Sequence, residues 1–151
     1  MSWLNVPHYK QNKAGWCLPA CIEMVSAYWH HPLSQAEAAR LLAMCGAGAS
    51  ASRIQRLTER GFEVTYTTGS LSDVSTWLSH GISVIVFVRT VELPYWNVDT
   101  PHALILVGVE VEQVHLLDPA VDTAPVTVSV GDLMLAWSYF DYTYAALKPS
   151  A

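Results

Sequence analysis

The chain is poor in charge. Only 14% of its 151 residues are Asp, Glu, Lys or Arg, against 52% that are hydrophobic, which excludes a disordered, self-repelling chain. Eight Lys and Arg face 13 Asp and Glu, for a formal charge of −5, and no basic run concentrates them. Nucleic acid and anionic lipid are therefore not expected partners. Long hydrophobic runs are missing too. "ISVIVFV" and "HALILVGV" are of strand length and fall far short of the roughly 20 residues of a membrane helix, so no membrane insertion is expected. The opening "MSWLNVPHYK" lacks the basic and apolar regions of a secretory signal, which points to the cytoplasm. Three cysteines are too few, and odd in number, for a disulfide framework, which agrees with a reducing compartment. With no repeat, linker or low-complexity segment, residues 1–151 are expected to form a single domain.

Periodicity supplies the organisation. "CLPACIEMVSAYW", from Cys17 to about Trp29, is apolar on nearly every face, as a helix sunk in a core is, and Pro19 sits where a first turn tolerates it. "LSQAEAARLLAMCG" predicts a second helix, opened by a Ser34–Glu37 capping box and stopped at Gly46. "SRIQRLTERG" predicts a third, ending at Gly61, and "SLSDVSTWLSHG" a fourth, capped by Ser70 or Ser72 and stopped by Gly81. Thereafter "FEVTYTT", "ISVIVFVRT", "HALILVGVEV", "VHLLDP" and "PVTVSV" read as half-buried strands, with "GDLMLAWSYF" a last helix and "YTYAALK" a closing strand. Helices first and strands later predict an α+β fold: an N-terminal helical half with a buried central helix, packed on a mainly antiparallel C-terminal sheet.

The chemistry gathers at "QNKAGWCLPAC", residues 11–21. Cys17 stands at a predicted helix start, where the partial positive charge of free N–H groups favours a thiolate and the same groups suit an oxyanion. Cys21, a turn further in, loses that advantage and reads as core. A base for Cys17 must come from six histidines. His30 and His31 lie at the far end of the helix, out of reach at about 1.5 Å per residue. His80 and His115 read as surface or packing residues, His115 for want of an acidic neighbour, and His8 stays open. His102 opens a very apolar strand, at the rim of a rigid sheet. If "VEVEQ" reverses the chain with residues 110 and 112 paired around 111, Leu104 faces Asp118 and His102 faces Ala120. Asp118 is then diagonal to His102 on one face. Asp99 is a spare carboxylate. "PYWNVDTP", residues 94–101, is either a loop closing over a cleft or a plain hairpin connection. Cys17, Cys21 and a histidine lack a second ligand pair at metal-binding spacing, so no metal and no cofactor are expected.

The runs "VPHYKQNKAGWCLPACIEMVSAYW", "TPHALILVG" and "VHLLDPA" resemble the C39 peptidase and C39-like family of papain-like cysteine proteases, over nearly the whole chain. The resemblance implies a papain-like fold in which Cys17 is the nucleophile, His102 the base, Asp118 the orienting acid and Gln11 part of the oxyanion hole. It implies a peptide or protein substrate, of the double-glycine leader type in the many family members fused to peptide-exporting transporters. Leu18 departs from the family's usual Gly beside the nucleophile, which bears on substrate preference. Two rival readings share these residues: a Cys-His-Asp acyltransferase of transglutaminase type, and a C39-like module that binds a peptide without cutting it.

Overall fold

The computed structural model describes residues 3–46 and 48–151. Helix α1 (Cys17–Tyr28) is the buried element: Ala20, Cys21, Ile22, Met24 and Val25 are all at most 1% exposed. A helix apolar all round has no face to give to water, so it is enclosed by its neighbours. Helix α2 (Gln35–Leu41) starts at the expected capping box, with Ser34 Oγ accepting from Glu37 N–H and the Glu37 carboxylate accepting from Ser34 N–H. It stops earlier than the Gly46 signal predicts. Ala43 turns left-handed at φ 50°, and Met44 N–H reaches back to the Ala39 carbonyl to close the helix. The arginines of the next segment explain the early stop, because Arg53 donates to the carbonyls of Leu42 and Ala43 and Arg56 to that of Leu41. Those carbonyls are thereby satisfied without further helical turns. The segment itself, Ala51–Arg60, is a 3₁₀ helix that ends at left-handed Gly61, as its sequence requires.

Strand β1 (Phe62–Thr68) leads to α3 (Leu71–Ser79), capped by Ser70 with Asp73 completing the box, and then to β2 (Val84–Arg89). Strands β3 (Pro101–Val109), β4 (Gln113–Leu117) and β5 (Val126–Ser129) follow, then α4 (Val130–Ser138) and β6 (Thr143–Pro149). All pairings are antiparallel, in the order β1-β6-β2-β3-β4-β5.

The central strands are buried on both faces, where half-burial was expected. Ile85, Phe87, Ala103 and Ile105 pack toward α1, α2 and the 3₁₀ helix. Their alternates Val84, Val86, Val88, Leu104 and Leu106 join Val74 of α3 and Leu133, Ala136 and Trp137 of α4. The sheet is thus a middle layer, which is why β2 and β3 read as continuous apolar runs rather than alternating ones.

The β3–β4 hairpin corrects the expected reversal. Glu110 N–H donates to the Gln113 carbonyl, so the turn holds two residues, Val111 and Glu112, where a single central residue was expected. That shift alone would displace every partner on β4. A bulge between Leu106 and Gly108 takes it back, because Gly108 pairs with His115 and Leu106 with Leu116. The Ile105–Leu117 pair beyond it continues to the expected Leu104–Asp118 register.

Candidate active site

The site is assembled where the start of α1 meets the end of the β3–β4 hairpin. Cys17 is the first residue of α1; Trp16 before it offers no side-chain cap, and no acidic residue occupies the first turn. The positive helix end is therefore left to the thiol. His102 and the backbone N–H groups of Leu18 and Ala103 lie near enough to the Cys17 sulfur to favour its thiolate. Burial pushes the Cys17 pKa up. The His102 hydrogen bond and charge, with those two N–H groups, outweigh burial and bring it below the ordinary thiol value. Cys21 has no such donors, and burial drives its thiol well above the usual range.

His102 is the second residue of β3, paired with fully buried Val88 of β2, so its backbone sits in the rigid part of the sheet. Its Nε2 donates to Asp118 Oδ1 at 2.7 Å, which leaves Nδ1 as the nitrogen on the Cys17 side. Burial pushes the imidazole pKa down, but the Asp118 bond, the Cys17 bond and the two charges push it up to about 9. Asp118 itself is 0% exposed. Burial alone would raise its pKa; the donation from His102 and its charge, then Tyr95 and the Ala120 N–H, hold it below the usual carboxylate value.

Two further donors fill the second oxygen of Asp118. Tyr95 Oη donates to Oδ2 at 2.6 Å and Trp96 Nε1 to the same atom at 2.9 Å. The Trp96 ring also stands edge-on to the His102 imidazole, with centroids 4.8 Å apart. The segment 94–101 is thus neither a detached lid nor a bare connection; it braces the acid–base pair. Sequence reasoning missed both residues. They lie 23 and 22 positions from Asp118, and no spacing rule ties an aromatic donor to a carboxylate at that distance; the one signal was their place in "PYW", just ahead of His102.

Beside this chain opens a cleft of about 490 Å³. Cys17 and His102 line it, with Leu18, Met44, Tyr66, Phe87 and Phe140 making its apolar walls. Gln11 does not line the cleft but stands on the loop before α1, where its backbone N–H donates to the Pro119 carbonyl at 2.8 Å, next to Asp118. Its Nε2 donates to the Lys13 carbonyl at 3.0 Å, and its Oε1 is buried with no hydrogen-bond partner among the described residues.

The other candidates lie elsewhere. His8 donates from Nε2 to the main-chain carbonyl of Asp118 at 2.9 Å and so supports the acid's backbone. Asp99 is exposed and paired with Arg89 at 3.0 Å. His80 bonds the Thr76 carbonyl on the surface. His115 is a buried packing residue, one of the two expected readings, but it has an acidic neighbour after all, because the tight turn brings Glu110 onto its Nε2 while Thr127 meets Nδ1. No three His, Cys, Asp or Glu side chains among the described residues are grouped to hold a metal ion. No described helix is long and apolar enough to cross a membrane.

A thiol, an imidazole and a carboxylate thus follow one another at the mouth of a helix and the wall of a cleft. Residues 3–146 match the Peptidase_C39 like family, and the chain belongs to that family. Among solved structures, a Bacillus anthracis protein assigned as a C39-like peptidase superposes with a TM-score of 0.79 at 16% identity, covering 100% of both chains. The peptidase domain of Streptococcus ComA, a bifunctional ABC transporter of a quorum-sensing pathway, gives 0.76 at 17% identity over 99% of this chain and 100% of that one. A double-glycine motif protease from an AMS/PCAT transporter, solved with its leader peptide, gives 0.73 at 16% identity over 99% and 95%. The fold is the papain-like α+β fold of C39 peptidase domains. No curated protein sequence matches this one significantly.

Proposed function

We propose that this protein is a cysteine peptidase that hydrolyses peptide bonds through a thioester on Cys17, acting as a single cytoplasmic domain on a peptide or protein substrate. The observation that carries the reading is the chain of contacts from Cys17 through His102 to Asp118, with the thiol pKa lowered and the imidazole pKa raised beside an open cleft. Membership of the C39-like family and the peptidase neighbours support it.

In this mechanism the Cys17 thiolate attacks the scissile carbonyl carbon, and the carbonyl π pair moves onto oxygen. Cys17 N–H stabilises that oxyanion, joined by the Gln11 carboxamide when its Nε2 turns from the Lys13 carbonyl toward the cleft. As the intermediate collapses, the C–N bond breaks and the leaving amine takes the proton from His102 Nδ1. His102, now neutral, takes a proton from the water that attacks the thioester and keeps it as the C–S bond breaks, so that sulfur departs as the thiolate and the starting ion pair is restored. Asp118 holds the imidazole by Nε2 throughout and offsets its positive charge. The neighbour solved as a double-glycine motif protease with its leader peptide supports a leader-type peptide; Leu18, on the cleft wall here, sets how much space a residue beside the scissile bond finds.

The test is mapped alkylation at about pH 6, where an unperturbed thiol is under about 1% ionised. Cys17 is expected to react selectively, and His102→Ala to abolish the preference. Peptide hydrolysis that survives Cys17→Ala would overturn the reading.

A further inference from the structure

Gln35 is a buried polar side chain, 1% exposed, that the mechanism above leaves without a role. It is the first residue of α2, and helical side chains lean toward the N-terminus, so its carboxamide reaches back out of the helix onto the loop that carries Gln11. There its Nε2 donates to the Lys10 carbonyl at 2.8 Å, and its Oε1 accepts from Asn12 N–H at 2.8 Å. The second Nε2 hydrogen goes to Glu23 Oε1 on α1 at 2.9 Å, which fixes which end of the amide is which. One carboxamide therefore binds the two peptide groups that flank Gln11, as a neighbouring strand would. Gln11 N–H points the other way, to the Pro119 carbonyl. Alternate backbone groups pointing to opposite sides are the pattern of an extended segment pinned along both edges.

We propose that Gln35 is a positioning residue for Gln11: it locks the loop whose carboxamide serves the oxyanion, and ties that loop to the helix that carries Cys17. The inference rests on the peptidase reading above. An oxyanion donor must need little rearrangement as charge develops, so a loop residue whose Nε2 has only to turn from the Lys13 carbonyl needs a rigid backbone mount, and Gln35 and Pro119 are the mount. Pinned in this way, the loop tolerates a buried Gln11 Oε1 that has no hydrogen-bond partner among the described residues.

The experiment is a double-mutant cycle on Gln11→Ala and Gln35→Met, read by peptide turnover, by affinity for a peptide aldehyde, and by the rate of Cys17 alkylation with iodoacetamide. The aldehyde forms a tetrahedral adduct whose oxygen occupies the oxyanion position; iodoacetamide reacts by displacement at carbon and reports the thiolate alone. Gln35→Met is expected to lower kcat and aldehyde affinity by about tenfold or more, part of the 10²–10³ carried by a single oxyanion donor, with KM and the alkylation rate unchanged. It should add nothing in the Gln11→Ala background. Glu23→Ala, which removes only the partner that orients the Gln35 amide, should give the same split at smaller size and serves if Gln35→Met does not fold. Full kcat and aldehyde affinity in folded Gln35→Met, or additive losses in the double variant, overturn the inference. If Gln11→Ala itself costs nothing, the oxyanion role of Gln11 fails. Loss of selective Cys17 alkylation in the unmutated protein would instead sink the peptidase reading.

Discussion

His102 and Asp118 meet at 2.7 Å with both side chains buried: 5% of the imidazole is exposed, toward the cleft, and none of the carboxylate. A buried charge is costly unless it is paired and hydrogen-bonded, and Asp118 accepts four donors, from His102, Tyr95, Trp96 and Ala120. The carboxylate is therefore held ionised, and its charge keeps the proton on His102.

Asp118→Asn removes that charge while keeping the shape. The larger of the two causes that lift the imidazole above its usual value is lost while Cys17 remains, so the His102 pKa should fall and the thiolate be less well paired. Turnover should drop by at least about 10²-fold, the lower range for a misdirected acid–base group, and the iodoacetamide rate on Cys17 at pH 6 should drop with it. Steady-state kinetics and alkylation on one preparation measure both.

The pH profile should be a broad bell. Its acid limb follows the lowered Cys17 value, below which the thiol is protonated; its alkaline limb lies at about 9, where His102 loses the proton needed by the leaving amine. Stability has its own pH dependence. The raised His102 pKa contributes stability that is full below the unfolded imidazole value of 6.5 and is lost as pH rises through about 9. Asp118, lowered from 3.8, contributes stability above that value that is lost as pH falls through its folded pKa. Urea midpoints across pH 3–10 should show the alkaline loss in the unmutated protein and a smaller one in His102→Ala.

Tyr95→Phe deletes the 2.6 Å bond to Asp118 and nothing else of comparable size. A hydrogen bond to a buried charge contributes about 1.5–3 kcal/mol, and a destabilisation of that order is expected by urea unfolding. With less support for its charge, Asp118 should also become easier to protonate, moving the acid loss of stability to higher pH. Trp96→Phe keeps a ring against His102 but loses the 2.9 Å donor, and should behave alike.

Ala43 closes α2 at φ 50°, a conformation that crowds a Cβ. Ala43→Gly should therefore raise stability by about 1 kcal/mol, the strain released exceeding the extra freedom of glycine in the unfolded chain. Its guanidinium-bound carbonyl belongs to the backbone and survives the change. Thermal unfolding checks the sign, and Cys17 alkylation should be unaltered.

Local chemistry made much of this fold legible beforehand. Ser34 with Glu37 marked one helix start because a capping box is a contact between residues three apart, and the serines at 70 and 72 marked another, where the structure settles on Ser70. Cys17 was legible for the same reason, since a helix start creates its own field. The pairing of His102 with Asp118 was reached through a hairpin whose turn is one residue longer than expected, and the result survived because the β3 bulge restored the register. Periodicity sees neither a bulge nor a turn length.

What the sequence determined by itself is whatever acts over one turn or one strand: the helix caps, the apolar runs, the thiol at the mouth of α1, and a histidine at the start of β3. What the tertiary structure decided acts between segments that no spacing rule links. Tyr95 and Trp96 closing on the second oxygen of Asp118, Gln35 gripping the loop of Gln11, and arginines of the 3₁₀ helix ending α2 early all depend on where packed layers bring distant donors and acceptors. The physical reason is that a buried polar group must find a partner wherever the fold places one, and the chain records the need for that partner without its address.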